Sequence, residues 1–323
     1  MSDTDIETED LEADEPETFE LPFTALAERL DKVLARLMPQ HSRSRLQAWI
    51  EEGHVRVNGH AARVRAKVGS GDRIQVWPQP APETLAFVAE PVEFKVLGEG
   101  ADWIVVDKPA GLVTHPGAGN WHGTLLNGLL HRYPELARVA RAGIVHRLDK
   151  DTSGLLVVAR HEIAQTHLVR QLQARSVKRE YLALAHGWPD AEGTVDLAIG
   201  RDARVPVRMS VQQPIAPKPA ITHYRTLRRG RAGEAPVAEV ACRLETGRTH
   251  QIRVHMASLH HPLLSDAVYG GRPLAGAARQ MLHARALAFD DPASGERLAF
   301  EAGVPDDYAA VRRAIQWQSG EHQ

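Results

Sequence analysis

The chain has 323 residues, a length that suits about two domains. With 25% charged and 43% hydrophobic residues it reads as a soluble globular protein, and no uncharged apolar run nears the ~18 residues of a membrane span. The acidic start carries no secretory or transit signal, and one cysteine, Cys242, excludes a disulfide framework and an all-cysteine zinc site, so a cytoplasmic protein with a reduced thiol is expected.

The net charge of −2 hides an asymmetry. Residues 1–20 hold ten acids and no Lys or Arg, so the other 303 residues carry +8. The acidic stretch 1–20 is expected to be a disordered tail, too poor in apolar surface to offset its ordering entropy. A first compact unit is expected over 21–77. Leu26, Leu30, Val33, Leu34 and Leu37 fall at helical spacing before Pro39, and a second helix capped by Ser42 or Ser44 buries Leu46, Trp49 and Ile50 before Gly53. Val55 and Val57 then alternate into an Asn58-Gly59 turn, a hairpin signal, and Val64, Val68, Ile74 and Val76 supply more strand. Ten bases against five acids give this small α/β unit +5.

Pro78, Pro80 and Pro82 mark a proline-rich linker, 78–91. Beyond it, over 92–323, strands are expected at Phe94–Leu97, Trp103–Val106, Leu155–Ala159, Tyr181–Ala185 and Val237–Leu244. Helices are expected at Thr124–His131 and Ile163–Ala174. Strands outnumber helices, which points to an α+β domain with a mixed, mainly antiparallel sheet flanked by helices. Residues 200–236, rich in Arg and Pro, read as a long loop or insertion.

Four segments could carry chemistry. In GIVHRLDKDTSGLLVVAR (143–160) polar residues sit between two apolar stretches, as in a loop held rigidly by a sheet. Such a loop either presents a catalytic group or is a charged turn whose Asp151 and Thr152 satisfy backbone groups. Asp149 and Asp151 could face the same way as an acid–base pair, though adjacent loop acids are usually just solvated. In LETGRTHQIRVHMASLHHPLLSDAVYGG (244–271), Ile252 and Val254 alternate as in a strand, and Arg248 and Arg253 could bind phosphate or pair with a carboxylate. His250, His255, His260 and His261 lack metal-site spacing, so no metal is expected. The glycine-rich HPGAGNWHGT (115–124) matches neither nucleotide-binding fingerprint, and an isolated Tyr181 is more often core than catalytic.

Together these segments resemble the RluA-type pseudouridine synthases. HRLDKDTSGL resembles the family's signature around its aspartate, KREYLA its tyrosine motif and GRTHQIRVH its arginine motif, in the right order. RLDKVLARLMPQHSRSRLQAWIEEGHVRVNG is similar to an S4 RNA-binding domain. HPGAGNWHGTLLNGLLHRYP and ARAGIVHRLDKDT are most similar to members that modify the helix 69 stem-loop of 23S ribosomal RNA, with Ala140 where those have proline. The resemblance implies a monomeric RNA pseudouridine synthase with no membrane partner and no metal or organic cofactor. Asp149 would be the catalytic carboxylate, Arg253 its partner and Tyr181 the residue that stacks on the base and could take a proton from the sugar. Arg147, or His146, would fill the gap left by the extruded base. Arg43, Arg45 and Arg248 would hold RNA. The alternative is an S4-type RNA-binding protein that acts on another structured RNA without catalysis; a hydrolase using Asp149 and Asp151 would leave the basic first unit unexplained.

Overall fold

The computed structural model describes residues 16–79, 86–117, 119–205 and 207–318. Two compact units divide the chain at Ala81 and Pro82. In the first, β1 (Glu17–Glu20) precedes β2 (Glu28–Arg29), α1 (Leu30–Leu37) and α2 (Arg43–Glu51). Then follow β3 (Val55–Val57), β4 (His60–Ala61), β5 (Lys67–Val68) and β6 (Arg73–Val76). The larger sheet runs β1-β6-β3-β4, and β2 pairs with β5. Ser42 caps α2, accepting the Arg45 N–H, and Gly53 ends the turn beyond the helix with φ +85°. Leu30, Val33, Leu34, Leu46, Trp49 and Ile50 bury against Val55, Ile74 and Val76. Each such side chain contributes roughly 1.5–3 kcal/mol.

Two expectations shift here. The disordered tail was expected through residue 20, but Glu17–Glu20 pairs antiparallel with β6, because Phe19 packs on the core and the edge of β6 accepts a partner. Residues 1–15 lie outside the described residues, as do 80–85 of the linker. Leu26 lies outside α1 and is 89% exposed, so the helical run begins at Leu30.

The second unit begins with β7 (Lys95–Glu99), β8 (Trp103–Lys108), α3 (Leu125–Arg132), β9 (Ser153–Ala159), α4 (Glu162–Gln173) and β10 (Lys178–His186). β11 (Glu192–Asp196), β12 (Ile199–Asp202), β13 (Met209–Ser210), β14 (Pro214–Lys218), β15 (Ile221–Ala232) and β16 (Ala235–Leu244) follow. The chain finishes with α5 (Gln251–Ser258), β17 (Leu282–Asp290), β18 (Arg297–Glu301), α6 (Asp306–Ala314) and β19 (Gln316–Trp317). The main sheet runs β11-β15-β16-β10-β17-β9-β8-β7, antiparallel except where β17 meets β9. Both faces of its β8–β9 half are covered, which is why WIVV and LLVV are continuously apolar. Ile104, Val106, Leu156 and Val158 pack with Leu125, Leu126 and Leu129 of α3, while Trp103, Val105, Leu155 and Val157 pack with Ala164 and Leu168 of α4. No helix among the described residues is long and apolar enough to cross a membrane.

Two further expectations are corrected. Residues 200–236 are not a long loop: they form most of a small sheet, β13-β12-β14, and the twelve-residue strand β15. Their arginines hid the strand because β15 buries Thr222 and Tyr224 while Arg225 and Arg229 face solvent. Ile252 and Val254 lie on α5 rather than on a strand. Ile252 and Met256 pack into the main core and Val254 into a separate cluster with Tyr269. A helix buried on several sides shows the same short apolar pattern as a strand.

Candidate active site

Asp149 opens a tight turn before β9, closed by Thr152 N–H to Asp149 O at 3.1 Å. Side chains from elsewhere hold the carbonyls of this loop. Thr114 Oγ1 donates to Leu148 O at 2.7 Å, Lys108 Nζ to Lys150 O at 3.0 Å, and Arg279 Nη1 to Asp151 O at 2.8 Å. Lys108 is fully buried and also donates to Pro109 O and Leu112 O, both at 2.8 Å, so three acceptors match the three N–H of an ammonium. Burial pushes its pKa down to about 7 against the attraction of Asp149 and Asp151. Gly154, with φ +111°, lets the loop enter β9, since a Cβ there would lie 2.2 Å from Ala284 O on the neighbouring strand.

Arg253 projects from α5 into the same place. Its Nη1 donates to Asp149 Oδ2 at 3.0 Å, while Nε and Nη2 clasp Asp266 at 2.7 and 2.9 Å. Burial opposes the guanidinium's charge, but hydrogen bonding and attraction to Asp266, then attraction to Asp149, raise its pKa further. The expected carboxylate pairing is therefore present, but the fork of the guanidinium serves Asp266. His250, the left-handed residue capping α5 with φ +56°, places Nε2 3.9 Å from Asp149 Oδ2. Its Nδ1 lies 2.8 Å from Tyr269 Oη, which accepts the Met209 N–H at 3.0 Å. Burial lowers the imidazole pKa, favouring the neutral ring.

Asp149, Tyr181, Arg253, Arg147, His146 and Arg248 all line one cavity of about 600 Å³. That size falls in the range of small-molecule sites. Tyr181 lies buried on β10 opposite Cys242 and Ala284, and burial pushes its phenol up. Arg147 is exposed at the cavity, and Arg248 Nε donates to Pro219 O at 3.0 Å. His146 also meets β9: its Nε2 accepts the Val157 N–H at 3.1 Å, and burial pushes it down to about 3. A neutral ring tied to the sheet forms part of the wall of the cavity. Asp151 does not join Asp149 at the cavity, so the acid–base pair of carboxylates is absent there.

Arg43 and Arg45 belong to the first unit. Arg43 clasps buried Asp31 at 2.7 and 3.2 Å, and Arg45 donates to Gln79 O at 2.8 Å with its guanidinium over Trp49. Both are engaged in holding that unit together, which a basic helix start alone could not reveal. Sequence reasoning did not single out Asp266, Lys108, Thr114 or Arg279, which lie far along the chain from Asp149. Among the described residues no group of three His, Cys, Asp or Glu is placed to hold a metal ion, and His255 bonds instead to Thr222 Oγ1 and Leu197 O.

Residues 102–258 match the family described as RNA pseudouridylate synthase, and residues 28–74 match the S4 domain. The chain is 48% identical over 311 residues to the ribosomal large subunit pseudouridine synthase D of Neisseria meningitidis, covering 93% of this chain and 82% of that one. It is 50% identical over 295 residues to the protein of the same name from Nitrosomonas europaea, covering 89% and 84%. Among solved structures, human RNA pseudouridylate synthase domain containing 1 is similar, with TM-score 0.57, 27% identity, and 76% and 94% coverage. Human RNA pseudouridylate synthase domain containing 4, at 22% identity and TM-score 0.54 over 69% of this chain and 94% of that one, shares the fold.

Proposed function

The chain belongs to the RNA pseudouridylate synthase family and is an RNA pseudouridine synthase with an S4 domain, and on that premise we propose that Asp149 is its catalytic carboxylate. We propose further that its substrate is 23S ribosomal RNA, at uridines of the helix 69 stem-loop. The names of the relatives support the large-subunit substrate. The observation that carries the catalytic assignment is geometric: Asp149 lies at a cavity beside Tyr181, with one oxygen held by Arg253.

Pseudouridylation breaks the bond between uracil N1 and C1′, turns the base and joins C5 to C1′; C5 loses its proton and N1 gains one, so product and substrate are isomers. A carboxylate serves either by bonding to C1′ as uracil leaves, to be displaced by C5, or by taking a sugar proton on a glycal route and returning it as C5 bonds to C1′. In both, Asp149 must be ionised and close to the sugar. Tyr181, buried with its proton retained, stacks on the base, and exposed Arg147 fills the gap the flipped uridine leaves in the stem. Arg248 and the exposed bases of the first unit hold phosphates. The protein acts as a monomer on ribosomal RNA.

The test is Asp149→Asn, which keeps the side chain's shape and removes its charge. The variant is expected to fold and bind RNA normally while turnover falls by at least about 10²–10⁴-fold. Pseudouridine formed at the wild-type rate, read by mass spectrometry of the RNA, would remove Asp149 from the mechanism.

A further inference from the structure

We propose that Asp266 is a positioning residue: it takes the fork of Arg253 so that Asp149 receives a single hydrogen bond and keeps one oxygen open for the sugar. This rests on the catalytic role proposed for Asp149.

The arrangement is built rather than incidental. Asp266 is 1% exposed, and its two oxygens face Arg253 Nε and Nη2 in a bidentate clasp. Its backbone is locked: its N–H donates to Leu263 O at 3.2 Å, and its carbonyl accepts from Tyr269 N at 3.0 Å and Gly271 N at 2.8 Å. Gly271 is packed so closely that a Cβ there would lie 1.8 Å from Leu263 O. The Tyr269 ring lies 5.1 Å from the guanidinium carbon and limits its swing. Asp266 engages one edge of the guanidinium, Nε with Nη2, and from the remaining end Nη1 reaches Asp149 at Oδ2 alone.

Two consequences follow for the reaction. A free fork would turn to Asp149 and cover both of its oxygens, since a bidentate pair is the preferred geometry of guanidinium and carboxylate. Asp266 prevents that. It also shares the positive charge, so that one guanidinium serves two carboxylates and the trio stays net negative. Breaking the bond between N1 and C1′ builds positive charge on the sugar, and a preorganised negative group beside it favours that transition state.

The experiment uses the full chain and a 23S ribosomal RNA transcript, with kcat and KM measured for Asp266→Asn, Arg253→Lys and the double variant. Asp149→Asn serves as the control. Asp266→Asn is expected to lower kcat by about 10²-fold, the scale of a misplaced catalytic group, with KM within about threefold of wild type. Because Asp266 acts through the guanidinium, adding Asp266→Asn to Arg253→Lys should cost less than about threefold more. Asp266→Glu keeps the charge, moves it by one methylene and should lower kcat while leaving the melting temperature near wild type; it carries the test should the amide variant not fold. Losses that multiply in the double variant, or a raised KM with kcat preserved, would overturn the proposal. An inactive Asp149→Asn beside a fully active Asp266→Asn removes the positioning role alone, whereas an active Asp149→Asn removes the reading beneath it.

Discussion

His146 and Asp149 are three residues apart in one loop, and their environments part them. Asp149 faces a guanidinium across 3.0 Å, whereas His146 spends its ring nitrogen on the Val157 N–H and is held neutral by burial, down to about 3. The unfolded ring titrates near ~6.5, so between about 3 and 6.5 the unfolded chain binds the extra proton. The stability His146 contributes is complete above pH ~6.5 and is lost as pH falls toward 3, at up to about 1.4 kcal/mol per pH unit. His115, pushed down to about 4 by burial and by Arg147 and Arg141, acts in the same direction. In His146→Gln an amide oxygen can accept the same N–H without titrating. Urea unfolding at several pH values between 6 and 4.5 should therefore show a shallower loss of stability than wild type, while an equal slope would mean that the folded ring takes up the proton.

At the scale of elements, the loop between Ile144 and β9 owes its shape to groups it does not contain. Lys108 ends β8 and ties together the carbonyls of Pro109, Leu112 and Lys150, and Arg279, itself clasped by Asp307 of α6, ties Asp151. Lys108→Met keeps most of the apolar stem and removes every donor. The carbonyls of Pro109 and Leu112 then lose their Lys108 bonds, and a buried group left unpaired costs about 1–3 kcal/mol. The removed cost of burying a charge offsets part of this. We expect a loss of about 1–3 kcal/mol in unfolding free energy and a fall in kcat of about tenfold or more with KM unchanged. A destabilised variant with wild-type kcat would show that Gly111 N–H, which also reaches Lys150 O at 2.9 Å, and Arg279 suffice to set the loop.

For the molecule as a whole, the basic charge of the first unit is spread differently from what its helices suggest. Arg43 is bound to Asp31, whose carboxyl is held low by hydrogen bonds from Arg29, Arg43 and Gln47 despite burial. Removing Arg43 would thus test stability as much as RNA binding. Arg63, Arg65 and Lys67, by contrast, are exposed at alternate positions of a stretch that runs into β5. If they meet phosphates, the salt slope of binding to a single strand falls by ~0.7 for every phosphate left without its cation. The triple alanine variant should then bind 23S ribosomal RNA more weakly, with a log–log salt slope smaller by about 2 and with kcat at saturating RNA unchanged. An unaltered slope across a salt series would mean that phosphates are held elsewhere.

The sequence by itself determined the elements whose signals are local. Ser42 and Gly53 bracket α2, Asn58-Gly59 turns the β3–β4 hairpin, and the apolar runs of β8 and β9 follow from a sheet covered on both faces. Its motifs also named Asp149, Tyr181 and Arg253, which the fold brings to one cavity. Tertiary structure decided what depends on partners distant in the chain. The helical state of Gln251–Ser258 was set by packing on several sides, and β15 was hidden by arginines that face solvent. Phe19 made a strand of the tail's end because β6 offered it an edge. The engagement of Arg253 with Asp266 and of Lys108 with Lys150 O was settled in the same way. A guanidinium or an ammonium reads alike in any sequence; which acceptor it meets is fixed by burial, where each polar group left unpaired is costly and only the folded chain determines which partners lie within reach.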